Sequence, residues 1–137
     1  MHLAILYHFA MSHSVDWATL TTFTHGDTSS KTLTTTSQIL LQTPTLVPGR
    51  YIVFARVGAN VTRYNADLGD LRASVDGGTH LEQLTMHSAW NQASLVVAQD
   101  VSLKSSGTIK LTSWRSGSNG TVVATMARCS IFTLRVA

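Results

Sequence analysis

Apolar and polar residues alternate with a period of two along most of this chain. The alternation is sharpest in "LVPGRYIVFARVGAN", residues 46–60. Pro48-Gly49 opens the stretch as a turn, and Gly58-Ala59-Asn60 closes it. Between them Tyr51, Val53, Ala55 and Val57 fall on one face of a strand, with Ile52, Phe54 and Arg56 on the other. The solvent face of an antiparallel sheet ordinarily carries polar residues. Only Arg56 complies, so this strand is predicted to be covered on both sides.

The same period recurs on either side. Val15 and Trp17 alternate with Asp16 and Ala18 into "TLTTFT", which His25-Gly26-Asp27 breaks. "KTLTTTSQILLQT" predicts a strand with Leu33, Thr35, Ser37, Ile39 and Leu41 on one face, since β-branched Thr favours extended chain. "NVTRYNADLGD" reads as a longer loop. Leu71, Ala73 and Val75 alternate up to Asp76-Gly77-Gly78, a hairpin signal, and "HLEQLTMHS" follows, with a turn at "AWNQ". "ASLVVAQDVSLKSSG" puts Leu95, Val97, Val101 and Leu103 on one face, interrupted by Gln99. After Ser105-Ser106-Gly107, Ile109 and Leu111 oppose Lys110 and Thr112, and Trp114 ends that strand. Beyond the loop "RSGSNG", Thr121 to Ala137 runs without a breaker, as one long strand or as two joined by a bulge near Arg128. Val53, Val97 and Leu111 are predicted to be core. These are about eight strands with no helical period, which predicts an all-β fold: an antiparallel β-sandwich of the jelly-roll type.

The amino-terminal segment "MHLAILYHFAMSHS" breaks the pattern by being apolar nearly throughout residues 1–11. It has no Lys or Arg before the apolar run, which argues against a secretory signal, and it is too short to span a bilayer. It is read as an extended arm, residues 1–14, ahead of a single domain at 15–137. The arm forms a first strand on the body, lies on a neighbouring subunit, or is a short helix.

Composition sharpens this picture. A chain of 137 residues suits one domain. Charged residues make up 12%, about half the usual share, and Thr and Ser supply the polar surface instead. Such a surface suits a chain that hides part of itself against neighbours. The net charge is +3, but the basic residues are scattered, which argues against a nucleic-acid partner. Cys129 stands alone and is read as a small buried residue between Ala127 and Ile131. None of the six histidines forms a His-x-His or helical i, i+4 pair, so no metal centre is expected. In "NADLGD", Asn65, Asp67 and Asp70 offer oxygen ligands, read either as a calcium loop or as an Asx-turn loop. Nothing pairs two carboxylates, and there is no Gly-x-Ser-x-Gly elbow. The chain is therefore expected to have no catalytic residues and no cofactor. Trp90 and Trp114 lie beside loops and are read either as sugar-stacking residues or as partly buried core.

"PGRYIVFARV" resembles the central strand of C1q and tumour-necrosis-factor-like jelly rolls, a strand of the Gly-x-Tyr-x-Phe type following a turn. "DLRASVDGGTHLEQL" and "ASLVVAQDVSLKSSGTIKL" are similar to that family's later hairpin and its strand, polar turn, strand element. The layout also resembles small jelly-roll domains of bacteriophage decoration proteins, head fibres and tail knobs. The resemblance covers roughly residues 32–137. "SIFTLRVA" lacks the Phe-x-Gly motif of C1q domains, so only the architecture carries over. The resemblance implies a homotrimer that buries one sheet against two copies of itself. Its contact residues would be Tyr51, Phe54 and Phe132, with Leu3, Ile5 and Leu6 of the arm. It further implies a non-enzymatic structural protein of the virion, made in the host cytoplasm and touching other virion proteins. The alternative is an extracellular module binding a host-surface glycan or receptor, with Trp90 and Trp114 as ligand residues. No membrane insertion is expected.

Overall fold

The computed structural model describes residues 21–62, 68–75, 81–86, 92–117 and 119–137. The arm residues Leu3, Ile5 and Leu6, as well as Trp90, Asn65 and Asp67, lie outside them. Among the described residues ten strands run in chain order: β1 (Thr21–His25), β2 (Ser30–Thr32), β3 (Gln38–Gln42), β4 (Gly49–Thr62), β5 (Asp70–Val75), β6 (Leu81–Thr85), β7 (Gln92–Leu103), β8 (Lys110–Arg115), β9 (Thr121–Thr125) and β10 (Ser130–Arg135). A single 3₁₀ turn, Met126–Arg128, separates the last two.

The strands form two antiparallel sheets. In the first, β4 is the trunk. β7 pairs along one of its edges from Gly49 to Asn60. The other edge is shared: β10 takes Tyr51 to Arg56, with β1 outside it, and β9 takes Ala59 to Thr62, with β2 outside it. The second sheet has the order β3-β8-β5-β6. This is the antiparallel jelly-roll sandwich that the alternation predicts.

β4 explains why the layers close. Tyr51, Val53, Ala55 and Val57 are all buried against the second sheet, where Leu71, Ala73, Val75, Ile109 and Leu111 meet them. Val53, Val97 and Leu111 have no exposed surface. The buried polar side chains find partners, as burial demands: the Ser113 hydroxyl donates to the Arg72 carbonyl at 2.7 Å, and the Thr43 hydroxyl accepts from the Ile109 amide at 2.9 Å.

The run from Thr121 resolves into two strands at the position where a bulge was placed. The 3₁₀ turn lifts residues 126–128 across β4, close to Gly58. A Cβ at Gly58 would come within 2.5 Å of the Arg128 Cβ, so the crossing demands glycine.

Two expectations are corrected. Residues 31–43 do not form one strand. The chain leaves the first sheet after Thr32 and enters the second at Gln38, through a turn in which the Thr36 amide donates to the Thr34 hydroxyl. Leu33 and Leu40 are the buried residues, and Ile39 is exposed, because changing sheets and a register shift between Ile39 and Leu41 break the period. Nor does Trp114 end its strand: burial continues through Ser113 to Arg115, and Trp114 turns outward.

Candidate functional site

The outer face of the first sheet carries what a solvated face should not. Antiparallel register aligns Phe23 with Phe132, Phe132 with Phe54, and Phe54 with Ala98. One row across β1, β10, β4 and β7 therefore holds three phenylalanines, spanning about 14 Å at the usual strand spacing. Each projects outward because its neighbours in sequence are drawn inward. Val53 and Ala55 flank Phe54, and Ile131 and Thr133 flank Phe132, all buried. Phe23 is 63% exposed, Phe54 46% and Phe132 36%. The Phe54 and Phe132 rings pack edge-tilted, centroids 6.4 Å apart at 41°, and each leaves surface free. Ile52 and Leu134 are half-buried in the next row, and Val96 is exposed in the row on the other side.

Charge is confined to the margins. Toward one end Arg50 holds Asp100 in a fork, its Nε donating to both carboxylate oxygens at 3.0 and 2.9 Å. That hydrogen bond keeps the Asp100 carboxyl below the usual carboxylate range and the Arg50 guanidinium above its own. Toward the other end Arg56 donates to the Ser94 hydroxyl at 3.2 Å, and His25 sets its ring 5.9 Å from that of Phe23.

The three rings leave on the order of 300 Å² exposed, given the area such side chains carry. At about 25 cal/mol per Å² that is worth roughly 7 kcal/mol on burial. This lies within the cost of bringing two bodies together, so the rings need the surrounding Ile52, Leu134 and Val96 to hold a stable contact. A patch of this size is at the limit of what a monomer shows to water. The row of three phenylalanines itself carries no group suited to acid, base or nucleophile work. What it offers is desolvation.

The sequence-predicted residues separate here. Phe54 and Phe132 come together on this face. Tyr51 does not: it is 1% exposed, its ring lies in the core and its hydroxyl donates to the Val47 carbonyl at 2.7 Å. It is corrected from a contact residue to a core residue, since alternation puts it on the face opposite Phe54. Trp114 is half-buried on the outer face of the second sheet, paired with Arg72. Phe23 escaped the sequence reading. The threonines on either side of it in "TTFTH" give no apolar–polar contrast to mark its face.

Of the "NADLGD" loop, Asp70 is engaged by the Thr85 hydroxyl at 2.9 Å and by Arg72 at 3.6 Å. The described residues contain no cluster of three or more His, Cys, Asp or Glu able to hold a metal ion. The Cys129 thiol is buried and its pKa is pushed up by that burial, which leaves it a poor nucleophile.

No protein-family model matches the chain, and no curated protein matches it. Solved structures do. The tumour necrosis factor Eiger from S. frugiperda superposes with a TM-score of 0.50 at 12% identity, over 86% of this chain and 92% of that one. The mosquito-larvicidal Cry4Aa toxin from Bacillus thuringiensis superposes with a TM-score of 0.48 at 14% identity, over 85% of this chain but 24% of the toxin. The first likeness establishes a tumour-necrosis-factor-like jelly-roll architecture.

Proposed function

We propose that this chain is a non-enzymatic assembly subunit that works as a homotrimer, closed by the phenylalanine face of its first sheet, and that it serves as a structural protein of a virus particle, a capsid decoration or fibre-knob subunit. The observation that carries the assembly reading is the row of Phe23, Phe132 and Phe54, an apolar stripe with charge only at its margins. A second copy is the occupant that suits it. A sheet face is flat and lacks the concavity that encloses a small ligand. A closed ring of identical subunits covers such a stripe without leaving a sticky edge. The tumour-necrosis-factor-like fold supports the architecture, and the charge-poor, hydroxyl-rich composition supports extensive burial between subunits. The placement on a virion, with other virion proteins as neighbours, rests on the resemblance of layout alone. In a second reading the same trimer is an extracellular receptor- or glycan-binding module. The half-buried Trp114 on the outer face of the second sheet favours it, since the exposed part of an indole there offers a surface for a sugar ring.

The test is Phe54→Asp, read by native mass spectrometry and circular dichroism. A charge placed at a shared contact meets its own copies, so the variant is expected to be a folded monomer where the parent is a trimer. A variant that remains trimeric overturns the assigned face.

A further inference from the structure

At one end of the sandwich, away from the phenylalanine face, the structure buries a cation with no counter-charge among the described residues. Arg115 closes β8 and points inward in phase with Leu111 and Ser113, 3% exposed. Its guanidinium donates to three backbone carbonyls: Gly120 at 2.9 Å, Leu68 at 3.0 Å, and Asn119. Its Nε is buried with no partner. Neither ion pair among the described residues involves it. Burial lowers its pKa from the usual arginine value, yet a guanidinium stays charged at neutral pH.

The carbonyl cradle is built with glycine. Gly69 adopts φ +74°, and a Cβ there would meet the Gly117 amide nitrogen at 2.4 Å. The loop before β5 and the loop after β8 can therefore touch, and their carbonyls converge on the guanidinium. Hydrogen bonds hold the frame: the Asp70 amide donates to the Ser116 hydroxyl at 2.7 Å, and the Arg115 amide donates to the Thr34 carbonyl at 2.9 Å.

Beside this cation opens a cleft of about 280 Å³, lined by Thr32, Thr34, Thr35 and Thr121 together with Arg115 and Gly120. No Asp or Glu lines it among the described residues. Its size suits one small oxyanion or a single sugar ring rather than an extended ligand. A buried positive charge that no carboxylate of the described residues neutralises costs solvation, and an anion bound beside it recovers part of that cost. The hydroxyls of Thr32, Thr35 and Thr121 around the opening supply donors for the remaining oxygens, while that of Thr34 donates to the Thr36 carbonyl at 3.3 Å.

We propose that this cleft is a binding site for a small oxyanion, the carboxylate or sulfate group of an acidic sugar, held by the Arg115 charge and the surrounding threonine hydroxyls. The site is independent of the phenylalanine face, on the opposite flank of the chain's function: it concerns what the subunit binds rather than how it assembles.

The experiment is an NMR titration of the whole chain with four probes: sodium sulfate, glucuronate, glucose 6-sulfate and glucose. Sulfate and glucuronate are expected to move the backbone amides of Gly117, Gly120 and Thr121 saturably, and glucose is expected to leave them in place. Stronger binding of the two acidic sugars than of sulfate assigns the sugar as the source of the anion; sulfate binding as well as they do assigns the free ion. Arg115→Met tests the charge but risks the fold, because it strips three carbonyls of their donor. Thr35→Asp avoids that risk, since Thr35 is exposed and lies outside the strands. Its carboxylate repels the ligand, and binding is expected to weaken about tenfold or more. The proposal is overturned by shifts that do not saturate, by equal response to glucose, or by undiminished binding to the Thr35→Asp variant.

Discussion

The two sheets turn the same chemistry toward each other and opposite chemistries toward water. Outside the second sheet, Thr112 and Ser74 share a hydroxyl hydrogen bond of 2.9 Å across β8 and β5, and Asp70 takes Thr85 and Arg72. That is a polar ladder, the dress of a surface meant to stay wet. Outside the first sheet, at the same depth from the core, stand Phe23, Phe132 and Phe54. The inner faces alone are enough to make the sandwich, so the outer faces are free to differ. A difference this large locates where the molecule meets something else.

Variants at inner and outer positions sharpen the contrast. Leu111→Ala empties a fully buried site and is expected to lower unfolding free energy by about 2 to 4 kcal/mol in urea denaturation. Phe54→Ala in the same assay, at dilution where subunits separate, is expected to cost less than about 1 kcal/mol, because nearly half of its side chain is already in water. Comparable losses at both positions would erase the distinction between the faces. On the other sheet, replacing Ser74 with Ala breaks the hydroxyl ladder. The expected cost is about 1 kcal/mol, with no change in oligomeric mass. If mass falls there instead, the assembly surface is the second sheet.

The smallest effect is at the margin of the apolar stripe. The hydrogen bond from Arg50 depresses the Asp100 pKa, so the pair contributes above the ordinary carboxylate pKa and is lost as pH falls through the depressed value. Both side chains are well exposed, which keeps the contribution small. An NMR titration of the Asp100 carboxyl should give a midpoint below the usual carboxylate value, and Arg50→Gln should raise it. An Asp100 midpoint unchanged by that variant would mean that the pair is not formed in solution.

Much of this was legible in the residues. β4 announced itself because Pro48-Gly49 opens it and because Val53 and Phe54 alternate without a gap, but Gly58-Ala59-Asn60, read as its close, lies within the strand, which pairs on to Thr62. Phe54 and Phe132 were named as contact residues through the resemblance, and the register between β4 and β10 puts them side by side. The crossing between β2 and β3 was not, since threonine favours extended chain in either sheet and a change of sheet leaves no mark in composition. Arg115 was hidden by its charge. Its phase with Leu111 and Ser113 pointed inward, but a lone arginine is among the last residues expected inside. Two carbonyls of the loop that follows it and the distant carbonyl of Leu68 make the position tenable, and no alternation of apolar and polar residues carries that. Phe23 was obscured by the threonines around it, whose alternation is weakly apolar on both faces.

The order of the strands in the first sheet bears on how the protein is made. β10 lies between β1 and β4, so a segment made after both must slot between two that emerged earlier. Until it does, both neighbours present unpaired backbone along Thr21–His25 and Tyr51–Arg56, an invitation to pair with another nascent chain. Folding during synthesis can organise the second sheet but cannot close the first. Loss of Ser130–Arg135 would therefore do more than remove one strand. It would detach β1 from its sheet and bare an edge of β4, leaving a chain prone to aggregate, which makes β10 the checkpoint for closing the first sheet.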